Sequence, residues 1–149
     1  GRCGMAFGPD NPFLEADRLM KKYDRENGEK HGGKMILVDF HCEATSEKLA
    51  MAYYLDGRVS ALWGTHTHVQ TSDSGVFEKG MGYITDLGMT GPVRSVLGVK
   101  PEQSVAMFRG DPYSRFETAP GPCKMECAVF ELDSETGKCK SVETLRIID

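Results

Sequence analysis

The chain has 149 residues, of which 40% are hydrophobic and 27% charged, a composition typical of one folded globular domain. Its net charge of −4 comes without a dense stripe of Lys and Arg, which argues against a long nucleic acid duplex as a partner. No apolar stretch reaches the roughly 18 to 20 residues of a membrane-spanning helix, and five cysteines without a secretory signal favour free thiols in the cytoplasm.

The first third of the sequence predicts a helix followed by a buried strand. Asn11 can cap and Pro12 can begin a helix, because the apolar residues that follow recur at helical spacing. After a polar, glycine-bearing stretch, residues 35–40 form a mostly apolar run of the length expected for a strand covered on both faces. His41 stands at the carboxyl end of that strand.

A second helix and a second strand come next. Thr45 or the serine after it can cap the helix, which we expect to end near Gly57, where glycine accepts the left-handed conformation. Residues 59–63 predict the strand, and we expect Gly64 to break it. Strands that alternate with helices predict a parallel sheet, and ligands of such sheets gather at the carboxyl ends of the strands.

The later part of the sequence changes from alternating strands and helices to strands alone. A strand over residues 81–85 leads into a glycine-punctuated loop, and Pro101 begins a short helix. The remaining predicted strands cover residues 115–118, 125–132 and 141–148. The last two are joined by residues 133–137, which are typical of a hairpin turn. The sequence therefore predicts one α/β domain, residues 1–149, that ends in antiparallel strands.

Three histidines are the candidate metal ligands. His41 closes one predicted strand, and His66 and His68 follow the next. Neutral imidazoles bind transition metals, and loops at strand ends let them converge. We expect a turn at this pair of histidines, because Gly64 comes just before it. Three histidines also fit a single zinc ion with one open position, so the spacing leaves a mononuclear zinc hydrolase as an alternative.

Four runs of sequence carry a more specific resemblance. Residues 38–48, 54–61, 64–71 and 83–92 are similar, in that order, to the YmdB family of bacterial metallophosphoesterases. This resemblance implies a calcineurin-like fold, in which sheets packed face to face are flanked by helices. It also implies hydrolysis of phosphodiesters such as 2′,3′-cyclic nucleotides, with release of the 2′ bond to leave a 3′-nucleotide. The expected partner is thus a small nucleotide or phosphodiester, and a homo-oligomer is a family-level expectation.

The resemblance further implies two metal ions at the strand ends, usually iron or manganese. His41 and His66 correspond to ligands of one metal ion, and His68 corresponds to a ligand of the other. Asp39 and Glu43 flank the first ligand and are candidates for orienting it from a second layer of contacts. A solvated strand end and helix start explain these two carboxylates equally well.

The rest of the family's site is expected upstream. This chain starts at Gly1 rather than at a methionine, the pattern of a later portion of a longer polypeptide. In the family, a preceding half supplies an Asp, a bridging Glu, an Asn and the His that protonates the leaving oxygen. His31 lies in a polar, glycine-rich run, which favours a solvated histidine over that acid. We expect this chain alone to bind metal weakly and turn over little; the alternative is a non-catalytic, truncated or oligomerising fragment.

Overall fold

The computed structural model describes residues 10–27, 35–111 and 115–149. In these residues there are three helices, α1 (Pro12–Asn27), α2 (Thr45–Leu55) and α3 (Pro101–Arg109). There are also seven strands: β1 (Leu37–His41), β2 (Ala61–Thr65), β3 (Gly75–Val76), β4 (Gly82–Ile84), β5 (Thr90–Pro92), β6 (Cys123–Leu132) and β7 (Cys139–Ile148). None of the described helices has both the length and the apolar character needed to cross a membrane.

The predicted parallel sheet is confirmed. Four strands form it in the order β1-β2-β4-β3, with β1 parallel to β2 and β2 parallel to β4. In the register of the first pair, His41 lies opposite Thr65, so both strands end at the same edge. The short strand β3 is antiparallel to β4 and was not predicted from the sequence.

A second, antiparallel sheet packs against the first. Its order is β5-β6-β7, and the predicted hairpin is confirmed, since Asp133 caps the turn by accepting the backbone N–H groups of Glu135 and Thr136. Between the two sheets, the rings of Trp63 and Phe130 are 5.9 Å apart. The structure is therefore an α/β fold with two facing sheets and flanking helices, as the resemblance implies.

The core lies between the first sheet and the two helices α1 and α2. Its buried members include Phe40, Met51, Leu55, Leu62 and Tyr83. The predicted start of α1 is confirmed, because the side-chain oxygen of Asn11 accepts the backbone N–H of Phe13 at 3.0 Å. The apolar faces predicted from helical spacing thus cover the parallel sheet.

Tertiary contacts override three local predictions. Helix α2 has Ala44 at its N-cap and no side-chain cap, so the predicted cap at Thr45 is wrong. The predicted strand over residues 115–118 is also wrong. There the backbone N–H of Glu117 donates to the side chain of Gln103, in α3, at 2.8 Å, and only Thr118 forms an isolated bridge, with Val99.

The third wrong prediction is that Gly64 breaks the second strand. It does not break β2 but lies inside it, opposite Phe40. A Cβ at this position would come within 2.0 Å of the carbonyl oxygen of Thr85 and 2.7 Å of the Lys48 side chain. Glycine is required here because neighbouring chain segments approach closely, rather than because the backbone turns.

Candidate metal centre

The register of the parallel sheet brings two of the predicted ligands together. His41 is the last residue of β1, and its partner Thr65 is the last residue of β2. His66 follows immediately, so both imidazoles project from the same edge of the sheet. The sequence predicts this meeting because parallel strands place their carboxyl ends side by side.

The two imidazole rings are in direct contact. Nε2 of His41 lies 3.1 Å from Nδ1 of His66, and the ring centroids are 5.0 Å apart. The other nitrogen of His41, Nδ1, lies 3.0 Å from the Thr65 hydroxyl oxygen. In the tautomer with a proton on His41 Nδ1, that N–H donates to Thr65, and Nε2 keeps a lone pair directed at His66.

The turn expected at the histidine pair is present. Strand β2 ends at Thr65, and the backbone then takes positive φ values at His66 (115°) and His68 (62°). Such values are uncommon for residues with a side chain and indicate strain held by surrounding contacts. One such contact is at Thr67, whose backbone N–H donates to Asp86 Oδ2 at 2.8 Å.

A buried ion pair anchors this turn. Lys48 Nζ lies 3.1 Å from Asp86 Oδ2, and both side chains are completely buried. Asp86 Oδ1 also accepts the backbone N–H of Gly88 at 3.0 Å. Burial alone would raise the pKa of Asp86, but the backbone N–H groups of Thr67 and Gly88 and the Lys48 ammonium outweigh it and hold that pKa below its usual value.

This ion pair was missed in the sequence analysis. Asp86 follows β4 as His66 follows β2, so its position after a strand of the parallel sheet was the available signal. Lys48 gave no such signal, because a lysine early in an amphipathic helix is usually solvated.

The histidines open into a cleft of about 860 Å³. His41, His66 and His68 line it together with apolar side chains that include Leu97 and Phe116. The structure thus places all three predicted ligands in one cleft and brings the nitrogens of two of them into contact. Among the described residues, no group of three or more His, Cys, Asp or Glu side chains is arranged to hold a metal ion.

The remaining predicted site residues contribute less to this geometry. Asp39 is exposed and lines a groove between α1 and β1, and Glu43 is exposed just before α2. Their role in orienting His41 stays a prediction. His31 lies outside the described residues. Cys42, next to His41, is buried and donates to Glu47 at 3.2 Å, so its thiol has a structural partner.

The chain is similar to known proteins over almost its whole length. A family model described as YmdB-like protein matches residues 1–145. The 2′,3′-cyclic-nucleotide 2′-phosphodiesterase of Bacillus subtilis (strain 168) is 43% identical over 148 residues, which are 98% of this chain and 54% of that protein.

Two crystal structures are similar as well, at 37% identity each. A hypothetical protein from Thermus thermophilus has a TM-score of 0.84, and the match covers 100% of this chain and 55% of that one. A phosphatase from Mycoplasma pneumoniae has a TM-score of 0.83, and the match covers 97% of this chain and 49% of that one. The chain therefore spans about half the length of the relatives it matches.

Proposed function

Because this chain belongs to the YmdB-like family, we propose that it is part of a metal-dependent phosphoesterase that acts on phosphodiesters such as 2′,3′-cyclic nucleotides in the cytoplasm. The expected reaction opens the 2′ bond and leaves a 3′-nucleotide. The observation that carries the proposal is the 3.1 Å approach of His41 Nε2 to His66 Nδ1 in an open cleft. The name and coverage of the Bacillus relative support the same chemistry.

The donor atoms suit the metal ions that the resemblance implies. Imidazole nitrogens bind zinc and similar ions at about 2.0–2.1 Å, so two neighbouring ligands of one ion lie roughly 3 Å apart. The facing nitrogens of His41 and His66 already have that separation, at 3.1 Å. We propose that these two residues hold one iron or manganese ion and that His68 holds a second.

The neighbouring residues prepare the imidazoles for this role. In the tautomer with a proton on His41 Nδ1, the hydrogen bond from that N–H to Thr65 orients the ring, and Nε2 carries the lone pair that binds an ion. Nδ1 of His66 carries the lone pair that binding requires in the tautomer with the proton on Nε2. When bound, the ions would lower the pKa of a water molecule and neutralise charge on the phosphoryl oxygens.

We propose that this chain supplies only part of the site. The three proposed ligands are all imidazoles, whereas two ions of this kind usually share carboxylate ligands as well. We propose that the segment of the relatives upstream of the matched region supplies those ligands and the acid that protonates the leaving oxygen. This chain then positions the three histidines, and activity requires the longer protein.

Metal content and hydrolysis together test the proposal. We define the extended protein as this chain preceded by the upstream half that its relatives have. Metal content is measured by mass spectrometry, and hydrolysis of a 2′,3′-cyclic nucleotide is measured in parallel, on both proteins. We expect about two metal ions and turnover in the extended protein, and little of either in the short chain.

Histidine variants of the extended protein sharpen this test. His66→Ala should lower kcat/KM by at least about 100-fold, because a metal ligand is lost. His31→Ala is the matched control and should leave it unchanged. One tightly held zinc ion and turnover by the short chain alone would overturn the binuclear assignment. Equal activity of the two variants would remove His66 from the site.

A further inference from the structure

The loop that carries His68 is tied to the parallel sheet on both sides of that residue. Strand β2 ends at Thr65, and His68 takes a positive φ of 62° in the segment that follows. Before it, the backbone N–H of Thr67 donates to the carboxylate of Asp86 at 2.8 Å. After it, the backbone N–H of Thr71 donates to the carbonyl oxygen of Asp86 at 3.1 Å. Both contacts are made by one residue, which follows β4 and holds the two ends of the segment.

Gln70 ties the same segment to the antiparallel sheet. Its side-chain Nε2 donates to the carbonyl oxygens of Cys127 in β6 at 2.9 Å and of Leu145 in β7 at 3.3 Å. It also lies 3.4 Å from the carbonyl oxygen of Leu87. Cys127 and Leu145 are opposite each other in the register of β6 and β7, so one amide group contacts both strands at the same level of the hairpin. All three partners are acceptors, which assigns the NH2 group of Gln70 to this junction.

The stem of Gln70 is closely packed as well. A Cβ at Gly88 would come within 3.0 Å of Gln70 Cβ and within 2.4 Å of the carboxylate of Glu126. Gly88 has a φ of +89°, which favours glycine, and its backbone passes directly beside Gln70. Glu126, in β6, also accepts the backbone N–H of Met89 at 3.2 Å. These contacts place Gln70 between the loop after β4 and the β6–β7 hairpin, two residues from His68.

We propose that Gln70 is a positioning residue for His68, an inference that rests on the proposed function and concerns the second of its two metal ions. A positive φ is uncommon for a residue with a side chain, so the backbone at His68 must be held by surrounding contacts. The Gln70 amide supplies such contacts from the antiparallel sheet. They hold the segment before an ion arrives, which reduces the entropy lost on binding. Gln70 acts through His68, because its NH2 group is a donor that faces carbonyl oxygens.

The two proposed ions depend on different supports in the fold. His41 ends β1 and His66 directly follows β2, so the parallel sheet places the proposed ligands of the first ion. His68 lies further along the loop, in the part that Gln70 links to the antiparallel sheet. Loss of the Gln70 amide should therefore weaken binding of the second ion and leave binding of the first unchanged.

Side-chain amide exchange in the unmodified extended protein tests the Gln70 contact without a substitution. The other glutamine of the chain, Gln103, is half-buried like Gln70, but its side-chain oxygen accepts the backbone N–H of Glu117 at 2.8 Å. By NMR, the NH2 protons of Gln70 should exchange with solvent several-fold more slowly than those of Gln103, because only the former donate to backbone carbonyls. Equal exchange rates in the two glutamines would overturn the inference.

Manganese titration of the extended protein by calorimetry tests the division between the two ions. Gln70→Met keeps a long side chain without the donor, and the affinity for one of the two ions should fall about tenfold, as for other residues that orient a metal ligand. The affinity for the other ion should stay the same. Excess manganese should restore kcat for a 2′,3′-cyclic nucleotide in Gln70→Met, where His68 is still present, but not in His68→Ala.

The matched control for the titration is Gln103→Met, which also removes a contact between a glutamine side chain and the backbone. This variant should leave both affinities unchanged. Unchanged affinities in Gln70→Met, or an equal loss for both ions, would overturn the positioning role while leaving the proposed function in place. Fewer than two ions in the unmodified extended protein would instead overturn the proposed function, and this inference with it.

Discussion

Replacing Lys48 by methionine removes the positive partner of a fully buried ion pair while keeping a long side chain in place. Lys48 Nζ lies 3.1 Å from Asp86 Oδ2, and neither side chain is exposed to solvent. Removing one partner of such a pair costs about 3–5 kcal/mol, because the other charge stays buried. The backbone N–H groups of Thr67 and Gly88 still donate to the carboxylate. We therefore expect the lower end of that range, about 3 kcal/mol.

Urea unfolding followed by the fluorescence of Trp63, the one tryptophan of the chain, measures this loss. The thermal midpoint should fall by about 6–12 °C for a protein of this size. The control is Lys22→Met, because Lys22 pairs with Glu26 at 3.9 Å with both side chains more than half exposed. That pair should contribute at most about 0.5 kcal/mol. The reasoning fails if both variants lose the same stability.

The penalty in Lys48→Met should also depend on pH. Asp86 has a lowered pKa in the folded protein, so its contribution to stability is present above its unfolded-state value of about 3.8 and is lost as the pH falls through the folded value. Near neutral pH the carboxylate is charged, and the loss of the lysine lowers the free energy of unfolding by the full amount of about 3 kcal/mol. As the pH falls below about 3.8, protonation of Asp86 should shrink the difference between the two proteins. A difference that stays constant from about pH 7 to about pH 3 would contradict this.

Three further changes test other features of the fold and site. Gly64→Ala should cost about 3 kcal/mol or prevent folding, because the new Cβ meets a carbonyl oxygen at 2.0 Å, whereas Gly75→Ala, with nothing within 4 Å, should be nearly neutral in the same urea assay. In the extended protein, Thr65→Val should weaken manganese binding about tenfold by calorimetry, because His41 loses its hydroxyl partner, and Thr65→Ser should restore it. Asp133→Ala should destabilise the β6–β7 hairpin and lower the urea midpoint, since that carboxylate accepts two backbone N–H groups, and an unchanged midpoint would refute this.

The sequence predicts the features of the fold that follow from the order of strands, helices and turn residues along the chain. The alternation of strands and helices is sufficient for the parallel sheet, and the sheet is sufficient to bring His41 and His66 to one edge. The hairpin before β7 follows from the turn residues around Asp133. Some predictions that used one residue without its tertiary neighbours were wrong. Gly64 looked like a strand breaker, but its neighbours Thr85 and Lys48 are distant in sequence.

The sequence does not predict the ion pair of Lys48 and Asp86 for the same reason, because the two residues meet only in the folded chain. The energies of their interactions nevertheless show that the pair contributes to the geometry of the site. The positive φ at His66 costs on the order of 1–3 kcal/mol and must be offset by surrounding contacts. A hydrogen bond to a charged group contributes about 1.5–3 kcal/mol, and the backbone N–H of Thr67 donates such a bond to Asp86. These magnitudes are similar, so the hydrogen bond from Thr67 to Asp86 offsets strain of this size. The sequence identifies the imidazoles as candidate ligands. The Asp86 carboxylate, which holds the turn at His66, reaches that turn only because β4 lies beside β2.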